Sequence, residues 1–107
     1  MFSRLVEVNC KAGKYQELTR LVNEKVLPIL RKQQGFRDEV LLHSNQDSNR
    51  IVGISFWDKR EDADRYQRET FSQVSELLRP LCEGEPRIST FDVSSSTPHK
   101  ITQERAA

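Results

Sequence analysis

The stretch from Arg50 to Pro86 constrains the fold most, because its pattern changes from strand to helix within one residue. The run Ile51–Trp57 is short and rich in β-branched and aromatic residues, which favours a β-strand over a buried helix. A D-x-x-E spacing typical of a capping box begins at Asp58, so a helix is predicted to begin directly after the strand. A T-x-x-Q spacing repeats the box from Thr70, which predicts that this helix kinks or restarts there.

Three more strand patterns and one more helix pattern surround this stretch and give the order β-α-β-β-α-β. Pro28 interrupts the first helix pattern, and a kink or a brief break is expected there because proline lacks an N–H and clashes with the preceding turn. The polar run 45–49 predicts a hairpin between the second and third strands. Gly84 and Pro86 are interpreted as the stop after the second helix. The predicted strands are Phe2–Asn9, Phe36–Ser44, Ile51–Trp57 and Arg87–Val93, and the predicted helices are Lys14–Gln34 and Asp58–Leu81.

This order predicts a ferredoxin-like α+β fold, in which two helices cover one face of a four-stranded antiparallel sheet. Strand alternation assigns the residues to two faces. The face predicted to pack against the helices carries Val6, Val8, Val40, Leu42, Val52, Ile54, Phe56, Phe91 and Val93. The opposite face is predicted to carry Leu5, Glu7, Asn9, Glu39, Leu41, His43, Ile51, Gly53, Ser55, Trp57, Ile88, Thr90 and Asp92. Because this second face is too apolar for water and too polar for a dry core, we expect a homodimer that packs two sheets around a partly polar, barrel-like interior.

Length and charge exclude several classes of protein. At 107 residues the chain is predicted to form one domain with a single core. Its 17 basic and 16 acidic residues are interspersed, which predicts binding neither to nucleic acid nor to an anionic membrane, and no apolar run approaches membrane-spanning length. Cys10 and Cys82 are too few for a disulfide framework and are interpreted as inert apolar residues, so a cytoplasmic location is expected.

The Gly35–Phe36 pair, the hairpin, the strand ending in Trp57, the long helix after it and the E-G-E-P motif before the last strand resemble the antibiotic biosynthesis monooxygenase family. The resemblance covers roughly residues 2 to 93. It implies a dimeric α+β barrel and a domain of this kind over residues 1–93. Residues 94–107 are polar and lack periodicity, which predicts a tail that is disordered or pinned to a partner. The scaffold hosts cofactor-independent oxygenases of phenols, quinol oxygenases and heme-degrading enzymes, so it implies fold more than activity.

Two positions depart from the family's pattern. Many members carry a His on the second helix, nine residues after the strand-ending Trp, where this chain has Tyr66. Many also carry a His just before the helix Phe, where this chain has Thr70 before Phe71. Heme-degrading members use an Asn on the first strand with a Trp and a His on the second helix. Here the only strand-one Asn is Asn9 at the far end, and that helix has neither residue, so heme degradation is not expected.

Five residues are candidates for a functional site. Tyr66 is the candidate to hydrogen-bond a substrate hydroxyl, and His43 is the candidate base or orienting group, because its charge changes near neutral pH. The substrate-binding candidates are Trp57, Phe71 and Tyr15. Structural roles stay open for the same residues: Trp57 would serve as a core anchor, and His43 as an edge or interface residue. Both tyrosines would then be ordinary helix-packing residues.

Other chemistries have less support in the sequence. A two-His-one-carboxylate iron site would need His43 and His99 to meet through the tail, so no metal is expected. Glu7, Glu39 and Asp92 would form an acid–base pair only if the folded sheet brought them together.

Two functions remain. The resemblance implies a cofactor-independent monooxygenase of a small aromatic phenol or quinol, which needs no cofactor because the deprotonated substrate can reduce O₂ itself. The alternative is a non-catalytic homodimer that binds a small hydrophobic metabolite, which the missing histidines favour. Gly53 and Ser55 form a small-residue patch that either leaves room for a ligand or allows close packing of two sheets.

Overall fold

The computed structural model describes residues 1–97, which form one four-stranded antiparallel sheet with the helices on one face. The strands lie in the order β2-β3-β1-β4, and this arrangement confirms the predicted ferredoxin-like α+β fold. Of the predicted tail 94–107, residues 98–107 lie outside the described part of the chain. The elements are β1 (Phe2–Cys10), α1 (Tyr15–Leu21), a π-helical segment (Val22–Val26), α2 (Leu27–Arg31), β2 (Phe36–His43), β3 (Arg50–Trp57), α3 (Arg60–Glu69), α4 (Phe71–Leu78), a 3₁₀ turn (Arg79–Leu81) and β4 (Cys82–Asp92).

The regular α-helix is broken near Pro28 by a π-helical segment, Val22–Val26, just before the proline. Pro28 has no N–H to donate to the carbonyl four residues earlier, so regular α-helical bonding cannot run through this point. Instead the Leu27 N–H donates to the carbonyl of Val22, five residues earlier. The regular α-helical hydrogen bonding is therefore interrupted between α1 and α2.

The second helical region restarts at Thr70, as predicted, but the capping boxes do not form. Neither Lys59, before α3, nor Thr70, before α4, makes a side-chain cap hydrogen bond. The Asp58 carboxylate instead accepts a hydrogen bond from the Arg37 Nε on the neighbouring strand. The Asp58 carboxylate therefore binds the Arg37 guanidinium instead of the first backbone N–H groups of the helix.

Strand β4 begins five residues earlier than predicted, because Gly84 and Pro86 lie within the strand rather than ending a helix. The pairing of β1 with β4 shifts register between Glu7 and Asn9, where β4 carries extra residues. Gly84 has a φ of +72°, a left-handed conformation that favours glycine. The two residues therefore form a β-bulge.

The predicted faces are correct for β1 and wrong for the other three strands. Directly paired residues share a face, and pairing with β1 and β3 places on the helix side Phe2, Arg4, Val6, Val8, Glu39, Leu41, His43, Ile51, Gly53, Ser55, Trp57, Ile88, Thr90 and Asp92. Accordingly Ile51 is 1% and Trp57 0% exposed, whereas Leu42 is 47% and Phe91 53% exposed. The more apolar of the two residue sets was predicted to face the helices. In the structure that set lies on the outer face for β2, β3 and β4, and the helices cover a partly polar cavity.

The core beneath the helices has two adjoining clusters. Trp57 anchors the first: its indole N–H donates to Ser55 Oγ at 2.9 Å, and its ring lies 5.6 Å from Phe36 and 5.3 Å from Tyr66, centroid to centroid. The second cluster contains Leu18 and Ile51, which are both almost completely buried. Among residues 1–97, no helix is both long and apolar enough to cross a membrane.

Candidate active site

A cavity of about 70 Å³ lies between the sheet and the helices. Most of its lining is apolar, from β1, β3, α1, α4 and the π-helical segment. Four side chains with polar groups also line it: Arg4, Glu39, Ser55 and Tyr66. A concave, mostly apolar space with a few convergent polar groups is the usual form of a small-molecule site.

Arg4 supplies a buried cation beside the cavity. Its position on β1 points it at the helices, and the residue is 3% exposed. One guanidinium nitrogen donates to the Gln67 side-chain oxygen, and the guanidinium carbon lies 4.4 Å from the Phe71 ring centroid and 5.2 Å from that of Tyr66. Burial lowers the pKa of Arg4, but a guanidinium keeps its charge in proteins. Two aromatic faces therefore hold a positive charge in a largely apolar environment.

Tyr66 presents an unpaired phenol to the same cavity. It lies on α3 and is 2% exposed, and its hydroxyl makes no hydrogen bond to any residue in the described part of the chain. Burial raises the pKa of Tyr66 to about 12; the Arg4 charge opposes this rise, and Glu39 adds to it. The side chain is therefore a neutral phenol at neutral pH, free to donate or accept one hydrogen bond with a bound molecule.

Glu39 faces the cavity from β2, directly opposite Ser55 on β3. Burial raises the pKa of its carboxyl above the usual value, and the Arg31 charge partly opposes that rise. Within residues 1–97 its carboxylate takes part in no ion pair. A carboxylate with raised pKa and no partner is suited to accept a proton from a substrate.

An open cleft of about 740 Å³ lies outside this cavity, between β2 and the first helical region. Glu39 and Leu41 line both spaces, so these two side chains separate the cavity from the cleft. On the cleft side the rings of Tyr15 and His43 are stacked, with centroids 3.5 Å apart and planes inclined by 10°. The His43 Nε2 lies 2.8 Å from the Ser48 carbonyl oxygen.

The structure divides the five candidate residues into three groups. Tyr66 and Phe71 line the cavity, whereas Tyr15 and His43 line the outer cleft. Trp57 contacts Tyr66 but is itself fully buried and does not line the cavity.

Arg4 and Gln67 were missed by the sequence reasoning. The available signal was an arginine between Phe2 and Val6 in an otherwise apolar strand pattern, at a position that strand alternation places on the helix face.

No two of the three carboxylates that were candidates for an acid–base pair lie at the same site. Glu7 lies on the outer face, where Arg50 Nε donates to it at 2.9 Å and Arg87 also binds it. Glu39 lies on the helix face and Asp92 at the exposed end of β4. Among residues 1–97 there is no group of three or more His, Cys, Asp or Glu side chains that could hold a metal ion, and His99 lies outside those residues.

Comparison with known proteins identifies the family. The sequence model of the antibiotic biosynthesis monooxygenase family matches residues 1–77. The chain belongs to that family. No curated protein matches it. Among solved structures, the monooxygenase from the gene ActVA-Orf6 of Streptomyces coelicolor, in complex with nanaomycin D, is 17% identical with a TM-score of 0.75, over 92% of each chain.

Two further structures share the fold. SnoaB, a cofactor-independent oxygenase from Streptomyces nogalater, is 17% identical with a TM-score of 0.73, covering 92% of this chain and 97% of its own. A conserved protein from Methanosarcina mazei is 20% identical with a TM-score of 0.69, covering 85% and 91% respectively. At these identities the likeness establishes the fold alone.

Proposed function

We propose that this family member is a cofactor-independent oxygenase of a small aromatic phenol or quinol. The observation that carries the proposal is the convergence of the unpaired Tyr66 phenol, the unpaired Glu39 carboxylate and the buried Arg4 cation on one cavity. The activities of two structural neighbours support it, since one is a cofactor-independent oxygenase and the other a monooxygenase with a bound small molecule.

The proposed roles follow from charge. Glu39 accepts the proton of the substrate hydroxyl, and Arg4 stabilises the resulting phenolate in a site of low dielectric. Tyr66 donates a hydrogen bond that orients this oxygen. The electron-rich phenolate then reduces O₂, so that a phenol and O₂ give a quinone and water. One oxygen atom of O₂ becomes the new carbonyl, and the other leaves as water with the two hydrogens that the phenol loses.

The size of the cavity places part of the substrate outside it. A cavity of about 70 Å³ is smaller than the roughly 150 Å³ that accommodates benzene. The reacting part of the ring would occupy the cavity, and the remainder would pass Leu41 and Glu39 into the outer cleft. In that pose the stacked Tyr15–His43 pair contacts the distal part of the substrate, Phe71 contacts the reacting ring, and Trp57 supports Tyr66 from behind.

We further propose that the outer sheet face forms a homodimer. Its exposed and half-buried apolar side chains cover a contiguous surface that is unusual for a sheet left in water. Packing two such faces together would bury them and leave each cavity on the far side of its own sheet. The residues concerned are Leu5, Val40, Leu42, Val52, Ile54, Phe56 and Phe91.

Oxygen uptake with a panel of phenols and quinols tests the activity. The wild-type protein is expected to consume O₂ and form a quinone above the rate in buffer, and Tyr66→Phe is expected to slow this at least tenfold by removing the orienting hydrogen bond. Saturable binding in a thermal-shift assay, without O₂ uptake by any compound, would instead establish the non-catalytic binding protein.

A further inference from the structure

The two cysteines of the chain lie opposite each other on adjacent strands. Cys10 of β1 pairs with Cys82 of β4 in the sheet register. The Lys11 N–H donates to the Leu81 carbonyl at 2.8 Å, which makes the neighbouring pair hydrogen-bonded and the cysteine pair non-hydrogen-bonded. Residues opposed in this way have Cα atoms about 4.5 Å apart, which is within the roughly 4.4–6.8 Å range that disulfides span.

Both thiols also point to the same side of the sheet. Cys10 belongs to the second core cluster with Leu18 and Ile51, and Cys82 packs against that cluster. Cys10 is fully buried, and its Sγ lies 3.3 Å from the Lys11 carbonyl oxygen as a donor. Cys82 is partly exposed, so a reagent from solvent meets it first.

We propose that Cys10 and Cys82 are a modification site, where hydrogen peroxide or a similar two-electron oxidant converts the thiol pair into an intrachain disulfide. The Cys82 sulfur attacks peroxide, becomes a sulfenic acid and releases one water. The Cys10 sulfur then attacks the Cys82 sulfur, forms the S–S bond and releases the second water. In total two thiols and one peroxide give one disulfide and two waters, with both sulfurs oxidised and the peroxide oxygens reduced.

The bond would fasten the start of β4 to the end of β1. Neighbours of Cys10, namely Val8, Leu18 and Ile51, line the cavity between the sheet and the helices, so the modification would also immobilise one wall of that cavity. Burial raises the pKa of both thiols, which predicts slow oxidation that accelerates as the pH rises. This inference does not depend on the proposed oxygenase activity.

The full-length protein is treated with hydrogen peroxide under native conditions, then denatured for thiol counting, intact mass and a non-reducing gel. Both thiols are expected to disappear together, with a mass loss of about 2 Da in a monomeric chain, and the midpoint of thermal unfolding is expected to rise by roughly 10 °C. Dithiothreitol should reverse all three changes.

Cys82→Ser is the matched control, because it keeps the buried Cys10 and removes its partner. Its unfolding midpoint should not rise on oxidation, and no species lighter by two hydrogens should form. The inference is overturned if the wild-type thiols do not react, if the chain gains oxygen without forming the lighter species, or if the disulfide links two chains.

Discussion

Adding one methyl group at Gly53 would fill part of the cavity without straining the backbone. Gly53 lies on the helix face of β3, lines the cavity and does not have a left-handed φ. A Cβ built there would meet only the Leu41 Cδ1, at 3.8 Å, which is ordinary van der Waals contact. Gly53→Ala should therefore be accommodated by the fold while it occupies space that the proposed substrate needs.

The two expected effects have opposite signs. Loss of glycine's freedom in the unfolded chain contributes about 0.4–1 kcal/mol to stability, and burial of one methyl adds about 0.8 kcal/mol. Gly53→Ala should thus raise the free energy of unfolding by roughly 1–2 kcal/mol, which is a rise of about 5–10 °C in the unfolding midpoint for a domain of this size. The same methyl should lower kcat/KM for the phenol about 10- to 100-fold, as one misplaced methyl group does in a tight pocket.

Thermal unfolding and oxygen uptake of the same preparation measure both effects. Val52→Ile is the matched control, because it adds one methyl to the adjacent residue on the opposite face of β3; its kcat/KM should stay within about twofold of wild type. A Gly53→Ala variant that is stable but fully active would refute substrate binding in the cavity, since the added methyl would then occupy no space that the substrate needs. A lower free energy of unfolding in Gly53→Ala would contradict the conclusion that there is room for a methyl group beside Leu41.

Further expectations concern the tyrosine and the outer sheet face. Because burial raises the pKa of Tyr66 from 10.0 to about 12, its ionisation opposes folding, and stability should fall as the pH rises through this interval, more steeply in wild type than in Tyr66→Phe. Ultraviolet titration of tyrosinate should show a late step that Tyr66→Phe lacks; ionisation of Tyr66 near pH 10 in the folded protein would contradict the burial argument. Leu42→Asp should convert a dimer to a monomer in sedimentation analysis, because it places a charge in the proposed interface, and a monomeric wild type would refute the dimer.

The element order could be predicted from the sequence because it depends on local patterns. The strand-to-helix change after Trp57, the restart at Thr70 and the break in the α-helix before Pro28 each follow from a few neighbouring residues. The start of β4 could not be predicted, because Gly84 and Pro86 are as typical of the end of a helix as of a β-bulge. The pairing of β4 with β1 decides between these two structures.

The faces of the sheet could not be predicted, because β3 is apolar on both sides. Val52 and Ile54 on one face are no less hydrophobic than Ile51 and Trp57 on the other, and the deciding fact is which face the helices cover. Glu39 was assigned to the wrong face with the rest of β2, and a half-buried carboxylate beneath the helices is unexpected unless a cavity exists for it.

The candidate site was predicted in part for the same reason. The resemblance directed attention to the helix position of Tyr66 and to Phe71, and both line the cavity. Arg4 was not considered, because an arginine on a strand is usually exposed. Its burial depends on the Phe71 ring and on Gln67, both contributed by the second helical region 63 or more residues away.

Base-assisted oxygenation in the cavity is tested most directly by oxygen uptake with wild type and with Glu39→Gln. Glu39→Gln keeps the shape of the side chain and removes its ability to accept a proton. With a phenol that the wild type oxidises, we expect one quinone formed for each O₂ consumed, and a loss of about 10²–10⁴-fold in kcat in the variant. Equal rates for the two proteins, or no oxygen uptake by wild type with any phenol or quinol, would contradict the account.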